Sequence, residues 1–166
     1  MPTQSEGQTI VLASGVFDLL HLGHVRFLEE AKKLGGDNAK LIVVIARDRT
    51  VEKTKGRKPV MPEAQRLMLV ESLKVVNEAV LGREDFDLGD VINSVKPDVI
   101  VLGYDQSGME KRVREYVDKR GLNINVVRVG KFEADEIDSS SKIQKKIVDK
   151  WIARQKTAKK PVEKTA

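Results

Sequence analysis

The stretch Thr9–Leu34 constrains the fold of this chain more than any other. Thr9-Ile-Val-Leu-Ala-Ser14 is a short apolar run, the pattern of a buried strand, and Val25 to Leu34 carries apolar residues at 25, 27, 28, 31 and 34, which is helical spacing. Between them, at the handover from strand to helix, stands His21-Leu22-Gly23-His24, holding both histidines of the chain. Unpaired backbone N–H groups and the positive end of the dipole already favour an anion at a helix entrance. Two imidazoles there suit a nucleotide triphosphate.

The same alternation continues along the chain. Leu41-Ile-Val-Val-Ile-Ala46 is a continuous β-rich run of the kind covered on both faces, followed by a polar segment from Arg47 to Pro62. Pro62-Glu63 opens a helix reaching Leu73, with proline suited to its first turn. Val75–Leu81 reads as a short strand and Leu88–Val95 as a helix. Asp98–Leu102 is another buried strand, and Glu110–Arg120 a charged helix that Gly121 would cap. Asn123–Val129 is the last strand and Ser139 to Arg154 the last helix. Five strands separated by helices predict right-handed crossovers and a single doubly wound, Rossmann-like α/β domain with a five-stranded parallel sheet over residues 9–154. Residues 1–8 are expected to be a flexible N-terminus and 155–166 a basic C-terminal tail. Ligands of such sheets sit beyond the carboxyl ends of the strands, where strand order reverses.

Composition narrows the function. With 166 residues and no cysteine, the chain has room for one core and no thiolate nucleophile, disulfide or zinc–thiolate site. No apolar run approaches the roughly 20 residues that span a bilayer, and the polar start is unlike a signal peptide, so a cytoplasmic location is expected. The net charge of +5 suggests nucleic acid until its distribution is considered. Residues 151–166 hold Arg154, Lys156, Lys159, Lys160 and Lys164 against Glu163 alone, so four of the five net charges belong to that end. A solvated tail explains them, and no nucleic-acid or membrane partner is expected. Neither Gly-x-x-x-x-Gly-Lys-Ser/Thr nor Gly-x-Gly-x-x-Gly after the first strand occurs, which argues against a P-loop hydrolase and an ordinary dinucleotide dehydrogenase.

Three further groups fall at strand carboxyl ends or helix starts. Asp138-Ser139-Ser140-Ser141-Lys142 opens the last helix; hydroxyls there cap backbone amides or donate to phosphate, beside a lysine charge. Lys53-Thr-Lys55-Gly-Arg57-Lys58-Pro59 places four cations after the second strand. Gly103-Tyr104-Asp105-Gln106 follows the fourth strand; Gly103 permits close backbone approach, and Asp105 is able to accept from ribose hydroxyls or base N–H groups.

His21-Leu22-Gly23-His24, preceded by Gly15-Val-Phe-Asp-Leu-Leu, resembles the HxGH signature of the nucleotidyltransferase superfamily, which transfers AMP or CMP from a triphosphate to a phosphate acceptor. The serine cluster resembles that superfamily's second phosphate signature. The resemblance covers nearly all of residues 9–150 and implies roles. His21, His24 and Lys55 would stabilise charge as pyrophosphate leaves, with Lys53 the second choice for the lysine. Leu22 and Gly23 belong to the same motif, and Val16 and Phe17 would line the pocket. Ser139, Ser140, Ser141 and Lys142 would bind phosphate, Asp105 the nucleoside and Arg128 phosphate or ribose. Arg66 matches a position that faces the phosphates in related enzymes, against its plain reading as a helix-surface arginine. Mg2+, or another divalent cation, would accompany ATP, with no metal ligand assigned.

Ala46-Arg-Asp48, Lys55-Gly-Arg-Lys-Pro59 and Leu102-Gly-Tyr-Asp-Gln106 look more like archaeal-type FAD synthases (FMN adenylyltransferases) than glycerol-3-phosphate cytidylyltransferases. The latter place an arginine about five residues before the Ser/Thr cluster, as the resemblance implies. Here Arg128 lies well upstream of Ser139, and an acidic insertion, Lys131 to Asp138, intervenes. The expectation is therefore ATP as donor and FMN as acceptor, giving FAD and pyrophosphate. The alternatives are CTP-dependent transfer to glycerol 3-phosphate or a related acceptor and, more remotely, a non-catalytic nucleotide- or RNA-binding module. The resemblance also leaves room for a homodimer.

Overall fold

Alternating residues of the central strands feed two different cores, one on each face of the sheet. In the computed structural model, which describes residues 7–84, 87–132 and 137–158, five strands and six helices follow one another. They are β1 (Thr9–Gly15), α1 (Leu22–Leu34), β2 (Ala39–Ile45), α2 (Asp48–Lys55), α3 (Glu63–Glu71), β3 (Glu78–Leu81), α4 (Leu88–Val95), β4 (Val99–Leu102), α5 (Ser107–Arg120), β5 (Asn125–Arg128) and α6 (Ser140–Ala158). Val11, Ala13, Val43 and Val101 pack with Leu28 and Ala31 of α1 and Val70 of α3. Leu12, Val44, Ile100 and Leu102 pack on the opposite face with Ile92 of α4 and Val113 and Val117 of α5. Burial on both faces is why β2 and β4 read as unbroken apolar runs.

The sheet is wholly parallel, in the order β3-β2-β1-β4-β5. Val11 of β1 pairs with Leu41 of β2 on one side and Val99 of β4 on the other. The chain winds outward from β1 through β2 and β3, then returns to the other side of β1 for β4 and β5. The expected doubly wound topology is thus present, and its switch point lies between β1 and β4.

Two differences from expectation bear on the cavity. Helix α1 begins at Leu22, so His21 is its N-cap and His24 lies in its first turn, rather than both preceding a helix that starts at Val25. The polar segment after β2 contains α2, so Lys53 and Lys55 sit in the last turn of a helix. Val51 is that helix's one buried and one apolar residue, so no recurring apolar spacing marks it in the sequence. What forms α2 is non-local. The Glu63 Oε2 atom accepts from the Asp48 N–H at 2.7 Å and the Asp48 Oδ2 atom from the Glu63 N–H at 3.2 Å, so α2 and α3 cap each other's first turn. Of the expected N-terminal segment only residues 7 and 8 lie within the described residues, and of the expected tail only 155–158, which continue α6. Phe86 and residues 133–136 of the acidic insertion also lie outside them.

Behind this arrangement stands Arg66 of α3, with no exposed surface. It donates to the carbonyls of Val16 (2.5 Å), Ala46 (2.8 Å) and Met61 (3.0 Å) and pairs with Asp48 at 2.6 Å. It therefore ties together the segments that leave β1 and β2 and the starts of α2 and α3. Arg66→Met would leave these acceptors without their donor. The expected loss is about 3–5 kcal/mol of unfolding free energy, read from chemical denaturation; a loss under about 1 kcal/mol would show that the guanidinium is dispensable.

Candidate functional site

The carboxyl ends of the strands form one continuous floor. The Ala46 N–H donates to the Gly15 carbonyl, that of Gly82 to Ile45 and that of Val129 to Leu102. Across the switch point Gln106 joins β4 to β1: its Oε1 accepts from the Gly103 N–H at 2.7 Å, and its Nε2 donates to the Ser14 carbonyl at 3.4 Å. Above this floor lies a cavity of about 630 Å³, a size ordinary for small-molecule and cofactor sites.

The histidine loop enters this cavity in a constrained conformation. Phe17 and Leu19 hold φ values of 53° and 49°, in the left-handed region that side chains other than glycine rarely adopt. Phe17 is buried, its ring centroid 5.2 Å from that of His24. The imidazoles of His21 and His24 stack at 3.8 Å with planes 24° apart. The His21 N–H points at Nδ1 of His24 at 3.4 Å, which leaves Nε2 to carry the proton of a neutral His24 ring. Burial, with His21 next in weight, pulls the His24 imidazole down from 6.5 to about 3, while Asp18 opposes the shift. Burial also lowers His21, opposed by Asp138. Both rings are thus neutral hydrogen-bonding groups and not a pair of cations.

Serines and histidines meet. Gly23 is the joint: a Cβ there would stand 2.9 Å from the Asp138 carbonyl and 3.0 Å from the His21 ring, so only glycine lets the chain entering α6 lie against the first turn of α1. Ser139, Ser140 and Ser141 line the same cavity as His21 and His24. Ser140 donates its hydroxyl to the Asp18 carbonyl, and the Ser139 hydroxyl accepts from the Lys142 N–H at 3.3 Å. Lys55, Asp105, Val16, Phe17 and Gly23 also line the wall.

The other predicted residues stand elsewhere. Leu22 is exposed outside the cavity, and Lys53 does not reach it. Arg66 is neither phosphate-facing nor on the helix surface but buried behind the wall, as described above. Arg128 is spent on Glu110 (2.6 Å) and the Tyr104 carbonyl (3.0 Å). Lys142 pairs with Asp138 at 2.7 Å and so holds that carboxyl below its usual range. Sequence reasoning missed Asp18, Arg47, Arg83 and Gln106, all on the wall. Arg47 and Arg83 each follow a strand closely, and that position was the available signal. With Lys55, Arg57, Lys58, Arg112 and Lys131 they make seven lining cations against three carboxylates, Asp18, Asp105 and Asp138. Arg47 pairs with Glu63, Arg83 with Asp90 and Lys131 with Asp138, and the other four still outnumber the acids. Such a field selects a polyanion.

The family model described as cytidylyltransferase-like matches residues 12–146. The chain belongs to the cytidylyltransferase-like family. Similar members include the FAD synthase of Methanopyrus kandleri, 48% identical over 142 residues that cover 85% of this chain and 93% of that protein. The FAD synthase of Ferroglobus placidus is 48% identical over 154 residues, covering 93% and 97%. A crystal structure of a lipopolysaccharide core biosynthesis protein from Thermoplasma volcanium superposes with a TM-score of 0.69 at 44% identity, covering 76% of this chain and all of that one. Pantoate-beta-alanine ligase from Francisella tularensis shares the fold at 14% identity and a TM-score of 0.60, covering 81% and 63%. No helix among the described residues is long and apolar enough to cross a membrane.

The neutral histidine has a consequence for stability in this family member. Between about pH 3 and 6.5 the folded His24 binds fewer protons than the unfolded one, so stability falls as pH drops through that window. The melting temperature of the parent should therefore decline more steeply between pH 6.5 and 4 than that of His24→Ala. Parallel declines would show that His24 titrates as an ordinary exposed imidazole.

Proposed function

We propose that this chain is an FAD synthase that transfers AMP from ATP to FMN and releases pyrophosphate. The observation that carries the reading is the meeting of the histidine pair, Lys55 and the serine cluster on one positively charged cavity at the switch point. Relatives bearing that name at 44–51% identity over more than four-fifths of the chain supply donor and acceptor. Arg128, which a cytidylyltransferase reading would want near the serines, is held by Glu110 instead.

The chemistry asks for positioning and charge stabilisation, not for a covalent nucleophile. An oxygen of the FMN phosphate attacks the α-phosphorus as the bond to the bridging oxygen breaks, and the bonding pair leaves on pyrophosphate. The acceptor is already anionic, so no general base is required. His24 offers Nε2–H to the departing oxygens, with His21 stacked beside it. Lys55, Arg57 and Lys58 face the same space from the end of α2 and the segment after it. The amides opening α1 and α6 face the negative charge from the other side. Asp105 stands at the end of β4, where it suits the nucleoside.

Among the described residues no three histidine, aspartate or glutamate side chains form a metal-holding group. A divalent cation, Mg2+ in our reading, would enter on the phosphates of ATP, as this ion commonly does. Its part would be to neutralise phosphate charge, and no residue here is assigned to it. A cytoplasmic location goes with these soluble substrates.

Purified protein mixed with FMN and either ATP or CTP should form FAD from ATP alone, followed by chromatography of the flavin. Products only from CTP and glycerol 3-phosphate would replace this reading with the cytidylyl one. His24→Ala should lower kcat about 10²–10³-fold, the typical effect of removing one oxyanion donor, while the fold at neutral pH is retained. Full turnover by that variant would remove the histidine from the mechanism.

A further inference from the structure

Asp18 is a buried carboxylate that the proposed mechanism does not use. It is 8% exposed and, among the described residues, has no ion-pair partner within 4 Å. A carboxylate kept from water needs compensation. Here backbone supplies it: Oδ2 accepts from the Val60 N–H at 2.8 Å and Oδ1 from the Met61 N–H at 2.9 Å. The carbonyl of the same residue accepts from the Ser140 hydroxyl. One residue, three positions before His21, therefore takes bonds from segments about 40 and 120 residues away in sequence.

These segments are the ones that bring cations and hydroxyls to the cavity. Lys55 ends α2, Gly56 caps it with φ 68°, and Arg57, Lys58 and Pro59 lie between that cap and the anchored Val60. Helix α2 is thus pinned at its start through Asp48 and, a few residues past its end, through Asp18. Ser140 is the middle hydroxyl of the serine cluster. On its own side Asp18 is flanked by Phe17 and Leu19, two of the three positive-φ residues other than glycine among those described. Backbone of that kind persists only where the surroundings over-determine it. An aspartate merely closing a local turn would need none of these distant donors.

We infer that Asp18 is a positioning residue whose carboxylate and carbonyl lock the lysine-bearing segment and the serine helix onto the histidine loop, so that donors from three parts of the chain meet the triphosphate in register. This rests on the reading that these groups act on a triphosphate. The effect belongs to the transition state more than to the ground state, because small errors of placement cost rate before they cost affinity.

Asp18→Asn preserves volume and removes the symmetrical acceptor. Hydrogen exchange of the full chain with ATP present should quicken at least tenfold at Val60 and Met61 and leave the strand amides unchanged. The kcat for FAD formation should fall at least twentyfold, while ATP affinity from equilibrium binding changes less than threefold. Ser140→Ala, which cuts the carbonyl tether and leaves both carboxylate bonds in place, should lower kcat about fivefold with ATP affinity changed less than twofold and without altering exchange at Val60 and Met61. It also tests the joint if Asp18→Asn fails to fold. Exchange that quickens throughout the molecule, or a kcat within threefold of the parent for either variant that folds, would overturn the positioning role. A parent that makes no FAD would instead defeat the assigned reaction, and the exchange measurement would still judge Asp18.

Discussion

A charge without access to water holds the working end of this sheet together. The guanidinium of Arg66 remains buried because it meets acceptors on several sides, three carbonyls and the Asp48 carboxylate. Those acceptors belong to segments that an ordinary hydrophobic core leaves loosely related: the ends of two strands and the starts of two helices. Val16, one of the acceptors, directly precedes Phe17, so the cation that closes the fold also sets how the histidine loop leaves β1. An apolar side chain of equal volume would fill the space and orphan the carbonyls.

Much of this was legible in the sequence, for identifiable reasons. Strands β2 and β4 are covered on both faces, and such burial writes itself as an unbroken apolar run. The histidine and serine groups were legible because each combines a residue type with a helix start. Helix α2 was not, since its apolar face is Val51 alone and its first turn is capped by Glu63 from another helix. By its position in the sequence Arg66 reads as a phosphate ligand or a surface residue, whereas the fold buries it behind the cavity wall. Its partners are mostly backbone carbonyls, which carry no side-chain signature. Arg128 and Lys142 carry charges that suit phosphate, and a sequence does not show that Glu110 and Asp138 take those charges in the fold.

The placement of charge separates binding from chemistry within the cavity. Cations lining it, among them Arg57 and Lys58, supply a field that draws in a polyanion. The histidine pair itself is uncharged and shares the cavity with serine hydroxyls, while Lys55 and Asp18 both act on His24 from close by. Two such rings 3.8 Å apart do not both hold a proton cheaply, and burial drives the same way.

In the proposed transfer, neutral histidines would serve the chemical step better than charged ones. A protonated histidine pair would bind the resting triphosphate more tightly, and binding shared equally by ground and transition states adds nothing to kcat. Neutral N–H donors would respond instead to charge as it accumulates on the departing oxygens, and would reorganise little because stacking and Phe17 already hold them. The strain at Phe17 and Leu19 is the counterpart of that fixity. In the proposed reaction it would keep the donors where charge develops, with the bonds at Val16 and Asp18 holding the loop on either side of Phe17.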